Sequence, residues 1–192
     1  HFLFNTLQSI QFEIRQKEGN DSKIAEITEE LSDILKYALG DPKQQVSLSE
    51  EIQYLKRYVN IQKMRFGDKF ILYYEIEENL KEHHVFRLLL QPIVENSILH
   101  GVRYREHGYI KIKIYQSKQI QKIIVAVIDS GIGMTKEELM AQRKTISRYN
   151  PNHVGLANVN CRLKLYYGEE AQLHIYSKKD MGTVVKFYLP LS

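Results

Sequence analysis

Cysteine is almost missing from this 192-residue chain, and that scarcity excludes several chemistries at once. The lone thiol, Cys161, rules out an internal disulfide and any zinc site built from several cysteines, and it fits a reducing compartment. Cys161 reads as a packing residue. Long apolar runs are missing too. Nothing approaches the roughly 20 residues that span a bilayer, and no signal peptide is visible. The chain starts at His1 without an initiator methionine, so a piece of a longer protein is expected, with any membrane spans in the preceding part. Charge of one sign is also in short supply. The formal net charge of +4 is scattered and forms no cluster of arginines with aromatics, which argues against nucleic acid as a partner. With 43% hydrophobic and 26% charged residues, the chain can build one domain with a small appendage, or two small domains.

What is present begins with two amphipathic helices. Over residues 1–17, Leu3, Leu7, Ile10 and Ile14 converge on one stripe, while His1, Asn5, Gln8 and Phe12 converge on the opposite side. The histidine therefore faces solvent or a partner. A turn at 18–22 offers Asp21 or Ser22 as N-cap. Ile24, Ile27, Leu31, Ile34 and Ala38 then keep the 3-4 spacing of a coiled-coil seam up to the stop at Leu39-Gly40-Asp41-Pro42. A hairpin of two such helices cannot bury both stripes alone. A homodimeric four-helix bundle is the expected solution, with packing against the next domain as the alternative.

Residues 40–45 read as a linker. Ser47-Leu48-Ser49-Glu50 has the form of a capping box, and Ile52, Leu55, Val59 and Phe66 give a third helix its apolar face up to Gly67. Strands are expected at 70–76, 108–115, 122–128, 172–177 and 183–189, with helices at 135–147 and 155–167. In YIKIKIY, isoleucines alternate with lysines, as in a sheet wet on one side. The fold class is α+β: a helical hairpin over 1–45, followed over 46–192 by an α/β sandwich with a mixed, mostly antiparallel sheet and helices on one face.

The chemistry concentrates in four places. Residues 88–101, LLLQPIVENSILHG, join a buried helix to polar residues, with Pro92 in the first turn and Gly101 just past the end. Asn96 and His100 share one face and Glu95 borders it. An asparagine on a pocket wall offers its amide oxygen to a hard cation such as Mg²⁺, which leans on substrate phosphates for much of its shell. The second place is Asp129, Gly131 and Gly133, at the end of a strand apolar on both faces. There a carboxylate can accept a hydrogen bond from an exocyclic amine, while glycines let a flat ring approach the backbone. The third is His153-Val154-Gly155-Leu156, where a helix start favours phosphate. The fourth is Gly182-Thr183, whose hydroxyl can meet an adenine or a water beside it. Each has a plainer reading: a core helix with a polar edge, a turn, or a capping glycine.

Taken together, HFLFNTL, LQPIVENSILHG, DSGIGM, GLANVNCRLKLYYG and GTVVKFYLP resemble, in order and spacing, the cytoplasmic core of LytS-type sensor histidine kinases over essentially the whole chain. The resemblance implies a phosphoacceptor and dimerisation hairpin over 1–45 and a Bergerat-type ATP-binding domain of the GHKL superfamily over 46–192. It implies ATP and Mg²⁺ as cofactors, with Asn96 as the metal ligand and His100 beside it. Asp129 becomes the adenine contact, Gly131 and Gly133 the adenine-side backbone, Gly155 and Leu156 the phosphate-side backbone, and 135–154 the lid. Thr183 completes the nucleotide site. His1 falls on the phosphoacceptor, with Asn5 four residues later and Glu95 as candidate base, since Phe2 stands where many kinases carry an acid. His153 stands where many carry a further glycine. The implied partners are a response regulator receiver domain and a second copy of the chain. The implied location is the cytoplasmic portion of a cell-membrane sensor, anchored only through preceding segments. A GHKL ATPase without kinase activity is one alternative, although Pro92 occupies the place of its usual glutamate base. A degenerate kinase serving as a dimeric scaffold is the other.

Overall fold

A computed structural model describes residues 2–18, 23–41, 44–67, 69–147 and 155–191. In chain order the elements are α1 (Phe2–Glu18), α2 (Lys23–Leu39), β1 (Gln45–Ser47), α3 (Leu48–Phe66), β2 (Phe70–Ile76), β3 (His84–Phe86), α4 (Gln91–Asn96), β4 (Gly108–Ser117), β5 (Lys122–Asp129), α5 (Lys136–Ser147), α6 (Leu156–Tyr167), β6 (His174–Lys178) and β7 (Gly182–Leu189). They divide into two compact units, residues 1–67 with 84–88, and residues 68–83 with 89–192. No helix among the described residues is long and apolar enough to cross a membrane. The N-cap expected at Asp21 or Ser22, and Pro42 of the expected stop, lie outside the described residues.

In the first unit, α1 and α2 pair as a hairpin, fastened by Arg15 Nη2 and Gln11 Nε2, which donate to Glu29 Oε2 at 2.8 and 3.3 Å. The side that α2 buries is small and partly polar: Ala25, Thr28 and Ser32, then Ile34 and Tyr37. Thr28 Oγ1 donates to the Ile24 carbonyl at 2.7 Å and Ser32 Oγ to that of Thr28 at 2.8 Å, so the helix satisfies its own hydroxyls. The expected seam is left half open in the single chain, with Ile24 49% and Leu31 37% exposed. Helix α3 starts as its sequence directs, Ser47 Oγ accepting from the Glu50 N–H at 3.1 Å, and ends at Gly67 with φ +75°.

A short antiparallel sheet, Gln45 to Ser47 against Phe86 to His84, completes this unit. Neither three-residue strand was expected, because segments this short carry no readable alternation. The linker reading of 40–45 therefore gives way at Gln45, where β1 begins. Beside this sheet lies a buried acid. Glu51 is 1% exposed, and its carboxylate accepts from the Tyr37 hydroxyl and, at 3.1 Å, from the Leu88 N–H. Tyr37 stacks on Tyr54 with ring centroids 3.7 Å apart, and the Arg87 guanidinium lies 4.4 Å from the Tyr37 ring. Burial, then the Glu51 charge, hold the Tyr37 phenol far above its usual ionisation range, so it is a permanent donor. Leu88 has φ +57°, an uncommon conformation for a branched residue, and the Glu51 bond holds its N–H there.

The second unit is built on a five-stranded sheet in the order β2-β4-β5-β7-β6, parallel between β2 and β4 and antiparallel elsewhere. This is the mixed, mostly antiparallel sheet expected. Ile110, Ile112 and Ile114 of β4, Ile123, Val125 and Val127 of β5, and Val185, Phe187 and Leu189 of β7 form a buried face. On the other face Lys111 and Lys113 reach Glu75 of β2 at 2.7 and 3.7 Å, so the lysines are solvated and paired across strands. Helix α4 contacts α6, α6 contacts α5, and the turn after α4 contacts β5 and β7. The polar end of β5 therefore meets the helix that carries Asn96.

Replacing Tyr37 by Phe keeps both ring contacts and removes only the hydroxyl that donates to buried Glu51. The expected loss is about 1.5–3 kcal/mol, the usual cost of a hydrogen bond to a charged group, read by denaturant unfolding. An unchanged midpoint would show that Glu51 does not need this donor.

Candidate active site

Asp129 closes β5 and is 4% exposed. Oδ1 accepts the Gly131 N–H at 2.9 Å and the Thr183 N–H at 3.2 Å, while Oδ2 takes no part in either bond. Burial pushes the carboxyl above the ordinary aspartate range, against the opposing pull of the Gly131 N–H, the Ser97 hydroxyl and the Thr183 N–H. Ser97 Oγ is itself buried and falls short of hydrogen-bond geometry with every group among the described residues. A buried hydroxyl without a partner among the described residues, close to the buried Asp129 carboxyl, makes a polar corner suited to a ligand that donates and accepts at one edge.

The glycines around Asp129 serve a purpose the sequence does not reveal. A Cβ on Gly131 would stand 2.4 Å from Gly101 Cα, one on Gly133 1.9 Å from the Lys178 carbonyl oxygen, and one on Gly182 1.9 Å from that of Asp129. They let three backbone segments touch one another, in addition to leaving room for a ring. Gly101 likewise does not end its helix with a positive φ. It lies in a π-helical turn, Ser97–Gly101, that continues α4, and an added Cβ would meet Asp129 Oδ1 at 3.0 Å. Widened turns of this kind recur at functional sites.

Around this corner lies a cavity of about 470 Å³ whose walls include Asn96, His100, Asp129, Gly133, Leu156 and Thr183. Six of the residues singled out from four separated motifs are thus brought together. Gly131 stands behind Asp129, and Gly155 is the N-cap of α6 with φ +121°. Glu95 is half-buried and does not line the cavity. His1 lies outside the described residues, as do His153 and Val154; Asn5 falls within α1, but its side chain also lies outside them.

The lid expected over 135–154 is in its first part a fixed helix. Thr135 and Glu138 cap α5 reciprocally, the Thr135 N–H donating to Glu138 Oε2 at 2.8 Å and the Glu138 N–H to Thr135 Oγ1 at 3.2 Å. Arg143 Nε donates to the Ile175 carbonyl at 3.1 Å and fastens α5 to the edge strand β6. Residues 148–154 lie outside the described residues. Sequence reasoning also missed Ser177, whose Oγ accepts from the Met134 N–H, donates to the Gly182 carbonyl and meets Thr183 Oγ1, each at 2.9 Å. A serine near the end of an edge strand carries no signal of this. Lys179 and Glu138, also on the cavity wall, belong to none of the motifs. A second cavity, of about 440 Å³ beside Arg143 and Asn160, includes none of the expected residues.

The donor set fits a magnesium nucleotide. Among the described residues no group of three or more His, Cys, Asp or Glu side chains could hold a metal alone. The Asn96 amide oxygen on the cavity wall suits an ion that brings the rest of its shell with a phosphate ligand. The Oδ2 atom of Asp129 suits an exocyclic amine.

Because the folded pKa of Asp129 is raised, its stabilising contribution is complete below the unfolded aspartate range and is lost as pH rises through the folded value. Asp129→Asn removes that cost. The variant is expected to melt at or above the wild-type temperature at pH 7, with the difference closing as the pH falls toward 4. A variant that melts well below wild type at pH 7 would contradict this electrostatic picture.

Residues 1–70 match the family model described as histidine kinase, and residues 85–192 the model for histidine kinase-, DNA gyrase B- and HSP90-like ATPases. The sensor protein kinase HptS of Staphylococcus aureus, in strains including bovine RF122 / ET3-1 and USA300, is 35% identical over 195 aligned residues. The match covers 100% of this chain and 36% of the relative, so the chain spans about a third of the length of that protein. Among solved structures, the histidine kinase domain of the blue-light activated histidine kinase of Erythrobacter litoralis EL346 superposes with TM-score 0.55 at 17% identity, covering 97% of this chain and 83% of that one. The catalytic domain of histidine kinase ThkA gives TM-score 0.57 at 19% identity over 77% of this chain and 95% of that one. At these identities the structures speak for the fold and the family models for descent: with the histidine kinase model over residues 1–70 and the ATPase model over residues 85–192, the chain belongs to the histidine kinase family.

Proposed function

We propose that this chain is the kinase core of a two-component sensor of the LytS type, which binds ATP with Mg²⁺, phosphorylates itself on His1 and passes the phosphoryl group to an aspartate of a response regulator receiver domain. The observation that carries the reading is the meeting of Asn96, His100, Asp129, Gly133, Leu156 and Thr183 in one cavity. In this reading residues 1–45 present the acceptor and residues 46–192 hold the nucleotide, a functional boundary that falls within the first structural unit. The half-open seam of α2 and the exposed Ile10 of α1 support a homodimer through the hairpin. Residues preceding His1 would anchor the core at the cytoplasmic face of a membrane.

In this reading Asp129 Oδ2 accepts the exocyclic amine of adenine, with Gly131 and Gly133 as the backbone beside the base and Thr183 completing that end. Asn96 would hold Mg²⁺ through its amide oxygen, with His100 one turn on, and Gly155 and Leu156 at the start of α6 would meet the phosphates. Bound Mg²⁺ supplies neutralisation of the phosphate charge. A neutral His1 ring nitrogen attacks the γ-phosphorus, an N–P bond forms as the P–O bond to the β-phosphate breaks, and ADP leaves. The proton on the other ring nitrogen passes to a base, for which Glu95 is the candidate; Asn5, one turn after His1, orients the acceptor.

Labelled ATP tests the reading on the full-length protein. Acid-labile phosphate on His1, absent from His1→Gln, is expected; free phosphate alone would indicate an ATPase, and neither a scaffold. By calorimetry, Asn96→Ala should lose the Mg²⁺-dependent part of ATP affinity. Asp129→Asn should bind ATP about ten-fold or more weakly, as the loss of a charge-assisted hydrogen bond predicts. Wild-type affinity in both variants would overturn the site assignment.

A further inference from the structure

Arg105 belongs to none of the motifs. It follows the 3₁₀ turn Val102–Tyr104 and precedes β4. Its Nη2 donates to two carbonyls, Gly131 at 3.2 Å and Asp180 at 2.9 Å. The two acceptors come from different segments. Gly131 opens the loop after Asp129, and Asp180, with φ +65°, sits at the tip of the turn between β6 and β7. That turn is docked on the loop by a backbone bond as well, the Asp180 N–H donating to the Ile132 carbonyl at 2.7 Å. Ile132 and Gly133 of the loop and Lys179 of the turn all line the cavity.

One guanidinium therefore pins two segments that form one wall of the cavity, from a third segment that lines none of it. The peptide it holds at Gly131 is adjacent to the one whose N–H fixes Asp129 Oδ1. A wall set before the ligand arrives spares the ordering cost that a loose loop would impose on binding. In the ATP reading a flat base would lie between Asp129 and residues 130–133 and be read by its edge, so the spacing of this loop would bear on which base fits.

Building on the ATP reading above, we propose that Arg105 is a positioning residue for base selection, holding the loop after Asp129 so that adenine is accepted over guanine. The Asp180 carboxylate has no share in this. It stands 3.7 Å from the guanidinium and is 73% exposed, a pair of little consequence in water. The working contacts are main-chain carbonyls, which a lysine meets only in part because its ammonium lacks the planar fork.

The test compares Arg105→Ala, Arg105→Lys and Asp180→Gly in the full-length protein. It uses calorimetry with ATP and with GTP, and hydrogen exchange of the Asp180 amide without nucleotide. Arg105→Ala should weaken ATP about ten-fold and GTP far less, Arg105→Lys should recover part of the loss, and Asp180→Gly should stay within about two-fold of wild type. In the alanine variant the Asp180 amide should exchange faster. Equal loss for both nucleotides would mark a merely structural arginine and overturn the proposal, as would an unchanged ATP to GTP ratio. A wild-type protein that binds neither nucleotide would sink the ATP reading instead. The exchange measurement would then still decide the clamp, unchanged exchange in Arg105→Ala overturning it.

Discussion

Burying a carboxylate without a countercharge is the constraint from which the second unit follows. Asp129 bears it because two backbone N–H groups, from Gly131 and Thr183, point at one of its oxygens. Those donors reach it only if the loop after β5 folds back at once and β7 starts alongside, which requires backbone to touch backbone at Gly101, Gly131 and Gly182. The price of the acid is thus a row of positions closed to any side chain. What it secures is a buried carboxyl on the wall of the cavity.

Much of this was legible in the sequence, for identifiable reasons. The alternation of Ile110, Ile112 and Ile114 with lysines announced a one-sided sheet, and the cap at Ser47 announced α3, because both signals are local and repeat over several residues. Asn96, His100, Asp129, Gly133, Leu156 and Thr183 were singled out because their spacing matched a known family, and they line one cavity. Arg105 and Ser177 escaped because each bonds main-chain atoms far along the chain, and a bond to a carbonyl or an N–H leaves no trace in the partner's identity. The glycines were read as room for a ring; the backbone contacts they permit become visible only in three dimensions. Strands β1 and β3 went unread because three residues cannot show a period.

The first unit shows a different economy. Helix α2 turns Ala25, Thr28 and Ser32 inward and leaves Ile24 and Leu31 half open, the reverse of what a solitary hairpin would choose. Small residues let neighbouring helices approach closely, and hydroxyls bonded to the carbonyl one turn back add no unsatisfied group. The larger side chains remain half exposed on the single chain.

The way β3 is held bears on how the chain can be divided. Strands β2 and β4 lie side by side and parallel, so the chain must leave the sheet after Ile76 and return at Gly108, and on that excursion it adds residues 84–88 to the first unit, where β3 pairs with β1. A cut at the boundary near Gly67 therefore does not release an intact catalytic fragment. It strips β3 of its ladder partner β1 and uncovers Val85 and Phe86, both fully buried in the uncut chain, on an open strand edge. Such an edge invites pairing between molecules, so a shortened fragment that aggregates would report on where it was cut and not on the soundness of its nucleotide site.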